Sequence, residues 1–509
     1  MSDFTDDRDP AVAPAAETPA ESAAESAAES AAESAADLPR RDFLRMAGVG
    51  TGAILSGLGA TPLDPQSPAQ GTTPAPAPRG AAAARARPSS HIIVVGAGAW
   101  GAWTAWHLRK AGNRVTLIDQ YGAANSRATT GDETRGIRSS YGDRTVNAEL
   151  WSSWARKSIE RWHTFDAEHG KRFGTRFFFT TGDVIFREKA ESYTTRTQEL
   201  WTKLGVKYES ITADEAKKRW PQINGEGSTV VLYEPDAGVA RARDSIQAVV
   251  ALGRDAGVDF KIARVHPGAT VNGKMDGVVL DDGTRLTADA YVFACGPWLP
   301  KVFPDLLQNR MRLPIGHVCY FGTPQGDTRF TFPNIPSWNV PGVTGWAALP
   351  VDSRGFRVRG AFAPPAPPRV AGADDAAPPP PPPASTFDPR QLDPDLSSRW
   401  SSQERIDGSR RVLAKHFPAM ADAPLLETRS CHYEISVNRD FIVDQLPGID
   451  NAWVAGVGQA EGFKFSIVMG EYVAKRVLGE AGDPAVAAAF KMPTATYDVG
   501  ASGWDAGDE

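Results

Sequence analysis

Apolar and polar positions alternate most informatively over residues 91–120. An unbroken apolar run, Ile92–Val95, precedes Gly96-Ala97-Gly98-Ala99-Trp100-Gly101. Short continuous apolar runs of this kind read as parallel strands buried on both faces. A helix-like stretch follows to Lys110, Gly112 marks its end, and Arg114–Ile118 forms a second strand closing on Asp119. Much later, VFAC at 292–295 reads as another buried strand, followed by Gly296. Near the N-terminus the weakly apolar stretch Met46–Ala60 is shorter than the roughly 20 residues a bilayer span needs.

The strand–glycine–helix–strand order gives each residue a job. Gly96 permits the tight turn, Gly98 lets the backbone approach a pyrophosphate, and Gly101 lets the helix close on the strand. Free N–H groups and the macrodipole at the helix start favour the anion. Asp119 is placed to accept hydrogen bonds from the adenosine ribose hydroxyls. The unit predicts a dinucleotide site and fits FAD or NAD equally.

Composition changes the picture mainly at the N-terminus. Residues 21–37, ESAAESAAESAAESAAD, have too little apolar surface to fold alone. Arg40 and Arg41, followed by Phe43, Leu44 and the Gly/Ala-rich stretch, match a twin-arginine export signal. A Pro/Ala-rich spacer at 63–89 then leads to the folded part. These features predict export to a periplasm or the medium through the twin-arginine machinery, with no stable membrane anchor. A net charge of −6 gives no reason to expect nucleic acid. Three cysteines, Cys295, Cys319 and Cys431, exclude a disulfide framework.

Further motifs fall in a fixed order: SRATTGDETRGIRSSYG at 126–142, RWPQI at 219–223, EPDAGVARARDSIQAVVALGRDAGV at 234–258 and ADAYVFACGPWLP at 288–300. RSCHYEISVNRDFIVDQLPG at 429–448 and AGVGQAEGFKFSIVMGE at 455–471 complete them. Together they resemble the monomeric sarcosine oxidase and N-methyltryptophan oxidase family of FAD-dependent, D-amino-acid-oxidase-like flavoproteins. The resemblance implies an α/β fold in which a Rossmann-like FAD-binding domain is interleaved with an α+β substrate domain on an antiparallel sheet. Expected boundaries are a leader at 1–38, a signal at 39–62, FAD-binding segments at 90–150, 228–300 and 427–480, and substrate segments at 151–227 and 301–426. A Pro-rich insertion occupies 363–386 and a tail 481–509.

The same resemblance assigns roles. Arg138 would grip a substrate carboxylate with Lys464 as a second cation, and Arg135 would lie nearer the flavin. Cys431 would carry FAD through a thioether to its 8α-methyl, and Gly296 would mark a second approach to the cofactor. Arg357 or Arg359 stands where the family places an oxygen-activating lysine, a swap that changes shape and hydration. Thr130 and Glu461 replace family histidines; a carboxylate at 461 would suit a second cationic group on the substrate or pair with a neighbouring arginine. Trp338 and Trp346 are candidates to line a pocket, and Cys295 and Cys319 are expected in packing. The implied activity is oxidation of a small amine or N-alkyl amino acid to an imine, with O2 as acceptor and H2O2 as product. A primary-amine oxidase, an oxygen-indifferent dehydrogenase and a non-catalytic flavin-binding or interaction protein remain as alternatives.

Overall fold

The computed structural model describes residues 89–350, 354–360, 393–480 and 482–497. The leader, the twin-arginine signal, the spacer up to residue 88, the Pro-rich insertion and the far end of the tail lie outside the described residues. No helix among the described residues is long and apolar enough to cross a membrane.

Strand β1 (His91–Val95) feeds helix α1 (Ala99–Lys110), which returns through Gly112 to β2 (Arg114–Asp119). These belong to a six-stranded sheet ordered 442–445, 452–456, 290–293, β1, β2, 259–262. All pairings are parallel except that of Ile442–Gln445 with Ala452–Gly456. The apolar run in β1 has a two-sided purpose. Ile92 and Val94 enter a core that includes α1 and helices 148–173, 242–255 and 466–477, whereas Ile93 and Val95 enter a second core on the opposite face.

A second, eight-stranded sheet is ordered 425–432, 315–321, 356–360, 343–346, 337–340, 183–187, 230–234, 209–211. Its pairings are antiparallel except between Ser337–Val340 and Asp183–Arg187. A three-stranded sheet comprises β3 (Thr134–Ile137), Gly238–Arg241 and Phe178–Thr180.

Two segments sit differently from the sequence boundaries. Helix 148–173, assigned to the substrate domain from residue 151 on, buries Trp151, Ile159 and Trp162 in the core shared with α1. Strand Val230–Glu234, assigned to the FAD domain, pairs inside the eight-stranded sheet. Both follow from burial: an apolar helix face or strand joins whichever core completes it, and chain position does not constrain that choice.

Candidate active site

The β1–α1 turn opens onto a cavity of about 260 Å³, lined by Gly96, Gly98, Asp119, Gly296, Glu434 and Gly458, among others. Gly96 has φ +104°, and a Cβ there would overlap the Ala294 carbonyl oxygen. A Cβ at Gly101 would overlap the Gly96 oxygen, so helix and strand approach only because both residues are glycine. Above Gly98, by contrast, the nearest atom to a Cβ would be Thr130 Oγ1 at 3.6 Å, which leaves room on the cavity side. Thr130, read in the sequence only as a replaced histidine, accepts the first α1 amide, from Ala99, at 3.1 Å.

Asp119 accepts the backbone N–H groups of Ala97 at 2.8 Å and of Tyr121 and Gly122 at 2.9 Å. Burial pushes its pKa up against those bonds. It therefore shapes the turn as well as facing the cavity. Cys295, expected in packing, also lines this cavity, where burial raises its thiol pKa. Cys319 is plain core.

Asp395 also lines this cavity. It accepts from Tyr121 Oη at 2.6 Å, Trp298 Nε1 at 2.8 Å and Lys301 Nζ at 2.5 Å, strapping the segment after residue 392 to the cavity wall. Partial burial works against its ionisation, but these donors hold its pKa at about 2. No motif signalled this residue.

A smaller pocket of about 50 Å³ shares Thr129, Arg135 and Ala460 with the first as a common wall. Arg135, Arg138, Arg357, Arg359, Lys464, Glu461, Cys431 and Trp346 line it. It thus brings together Arg135, Arg138, Arg357, Lys464, Glu461 and Cys431 from four separate stretches of the chain. Trp338 lies elsewhere, stacked on Phe356 in the core.

Charge in this pocket is organised around a residue the sequence did not flag. Asp132 is buried and bonds Arg135, Arg357 Nη2 at 3.0 Å and Tyr320 Oη at 2.8 Å, with Arg429 at 3.9 Å. Burial opposes its ionisation, yet the three guanidinium groups hold its carboxyl far below the usual range. Arg357 also stacks on Trp346, 4.1 Å from the ring centre, while its buried Nε and Nη1 have no hydrogen-bond partner among the described residues. Arg138 is buried; burial opposes its charge, but Asp183, Tyr193 and Tyr141 together raise its pKa above the ordinary value.

Glu461 ion-pairs with Lys464 and lies 3.9 Å from Arg144. It is therefore engaged by protein cations, in keeping with the second of the two readings open for it, pairing with a neighbouring cation, rather than with a cationic group of the substrate. Lys464 is held well below the ordinary lysine pKa by burial, then by Arg138, Arg359, Arg144 and Arg135. The loop before it places Val457, Gln459 and Ala460 at φ +59°, +54° and +58°. Three non-glycine residues in the left-handed region store strain, a feature that clusters at functional sites. Gln459 Nε2 pins the loop to Ser436 Oγ at 2.8 Å and the Asp440 carbonyl at 2.7 Å. Trp100 Nε1 ties α1 to the same turn through the Gly462 carbonyl at 2.8 Å.

Residues 91–476 match the family described as FAD dependent oxidoreductase. The chain belongs to that family. FAD is therefore the dinucleotide for which the cavity is built, and the open approach above Gly98, the start of α1 and the glycine-flanked wall at Gly296 fit it. The chain is 25% identical over 392 residues to monomeric sarcosine oxidase from Bacillus sp. (strain B-0618), covering 76% of this chain and 92% of the relative. It is 25% identical over 394 residues to N-methyl-L-tryptophan oxidase from Escherichia coli (strain K12 / DH10B), covering 75% and 93%. In fold it is similar to L-proline dehydrogenase from P. horikoshii, with TM-score 0.62, 19% identity and coverage of 78% and 95%. Glycine oxidase from Bacillus cereus gives TM-score 0.61, 15% identity and coverage of 80% and 100%. Among the described residues no acidic, histidine and cysteine cluster could hold a metal ion.

Proposed function

We propose that this FAD dependent oxidoreductase oxidises the C–N bond of a small carboxylated amine, an N-alkyl amino acid in the first instance, to an imine that hydrolyses in water. The observation that carries the reading is the cationic pocket beside the cofactor cavity, sharing a wall with it, with Arg138 and Lys464 among its lining residues. The sarcosine and N-methyltryptophan oxidase relatives supply the amine class.

Bound FAD supplies the two-electron acceptor for the hydride equivalent that leaves the α-carbon. The protein's part is binding and orientation. Arg138 offers a planar fork that fixes a carboxylate in two dimensions, so that the α-carbon is presented in one pose. Lys464, crowded by guanidinium groups, gains a compensating negative charge when that carboxylate enters. The Asp132 hub keeps Arg135 and Arg357 in place before substrate arrives.

The proposed linkage of FAD is a thioether from Cys431, whose Sγ lies 4.0 Å from Arg135 Nη2 beside the wall shared by the two cavities. The acceptor in this reading is O2, with Arg357 supplying positive charge. One observation favours a second reading, a dehydrogenase: Arg357 is tied to Asp132, which offsets part of that charge. The Arg40-Arg41 segment supports export to a periplasm or the medium.

Anaerobic titration with N-methyl amino acids, pipecolate, proline and simple amines tests the reading. Bleaching of the flavin absorbance by a carboxylated amine is expected; bleaching by uncharged amines alone overturns it. Readmitting air separates oxidase from dehydrogenase. Denaturation in acid should leave the flavin on the protein and release it from Cys431→Ala.

A further inference from the structure

One acid in the cofactor cavity has no part in the reading above. Glu434 is 5% exposed and lies in the cavity wall. Oε2 accepts the Gly458 N–H at 3.3 Å. On its other side Oε1 would be 2.9 Å from a Cβ on Gly296, and Oε2 3.7 Å from one on Gly458. Two glycines thus flank the carboxyl, and neither places a side chain between it and the space the dinucleotide takes.

We propose that Glu434 contacts bound FAD as a neutral carboxylic acid, so that cofactor binding takes up a proton. FAD brings a diphosphate and several carbonyl and hydroxyl oxygens, which are acceptors or negative charges. An ionised carboxylate beside them is repelled, whereas the protonated acid donates a hydrogen bond.

The surroundings leave the acid without a counter-charge. Charged and titratable groups on the elements around it are Asp119 on β2, Arg135 on β3, Cys295 after the 290–293 strand, Arg312 on the short strand paired with Ile435, Cys431 and His432 at the end of the strand just before it, Tyr433 beside it, and the paired Glu461 and Lys464. Arg135 is committed to Asp132, and no salt bridge reaches Glu434 among the described residues. Burial pushes its pKa up to about 7, against the Gly458 and Glu434 backbone N–H groups and the Thr129 hydroxyl. Below that value the empty site already holds the proton; above it FAD must bind together with one.

The test measures the FAD dissociation constant of the full-length Cys431→Ala protein from pH 6 to 9, by the fluorescence of released FAD. The constant should be flat below pH 7 and rise about tenfold per pH unit above it, the slope for one linked proton. Glu434→Gln in the same background should bind FAD with a constant that stays flat across the range. Calorimetric titration at pH 8 in two buffers of different ionisation enthalpy gives a readout that needs no Glu434 variant: uptake of about one proton per FAD is expected. A flat constant in the parent, no proton uptake, or an unchanged slope in Glu434→Gln each overturns the proposal.

Discussion

The cofactor cavity and the cationic pocket share a wall but are built by opposite means. The first relies on backbone: Gly96, Gly98 and Gly101, the start of α1 and an acid at the end of β2, all within thirty consecutive residues. The second relies on side chains: Arg135 and Arg138 from one segment, Arg357 and Arg359 from another, Cys431 from a third, and Glu461 and Lys464 from a fourth. A backbone cradle works through shape and can be disabled by one added carbon. A side-chain pocket works through charge and needs buried partners, here Asp132, Asp183 and Glu461, to hold cations that would otherwise repel one another.

The largest effect should come from adding that carbon. Gly96→Ala puts a Cβ onto the Ala294 carbonyl at φ +104°, so the purified protein is expected to contain no flavin. Full flavin content in this variant would show that the cradle is not built from backbone alone. Next comes Arg138→Met, which should retain FAD and lower the rate of flavin reduction by carboxylated amines about 10²–10³-fold. An equal loss of bound flavin would break the separation between the two regions.

A pH effect sharpens the comparison on the pocket side. Glu234 lies opposite Asp183 and accepts Ser139 Oγ at 2.5 Å. Burial pushes its pKa from 4.5 up to about 7. The folded protein therefore keeps a proton that the unfolded chain loses between those values, and stability falls as pH rises through that window. Glu234→Gln should remove its share of the fall, on the order of 3 kcal/mol, in denaturant melts at pH 4.5 and 7.5. An unchanged pH slope would place the buried proton elsewhere. The smallest effect is expected at Asp395 in the cavity wall. Asp395→Ala breaks the strap to Tyr121, Trp298 and Lys301, and should weaken FAD retention in a Cys431→Ala background by about 1 kcal/mol, or roughly fivefold. A change in amine affinity without a change in FAD retention would assign the strap to the pocket instead.

Legibility followed the same division. The β1–α1–β2 unit could be read from residues 91–119 because strand period, glycine placement and the terminal acid are local consequences of backbone sterics. Arg135, Arg138, Lys464 and Cys431 were singled out through their resemblance to a family, and the sequence alone gave no reason for them to meet. Asp132 passed unnoticed because an acid between two threonines and an arginine looks like any turn residue until Arg357 and Arg429 arrive from other strands. Glu434 and Asp395 were invisible for a similar reason: nothing near either one in sequence marks it as buried or bridging. Trp338 and Trp346 show the limit from the other side, since two similar tryptophans eight residues apart end in a core and in a pocket wall.

By itself, then, the sequence determined the dinucleotide unit and the order of motifs, since these depend on neighbours along the chain. Tertiary structure decided which core each helix and strand completes, which acids balance which arginines, and which carboxyls stay protonated. Those outcomes depend on burial and on charges brought together from segments more than three hundred residues apart, and the low dielectric of the interior gives such long-range pairs their strength.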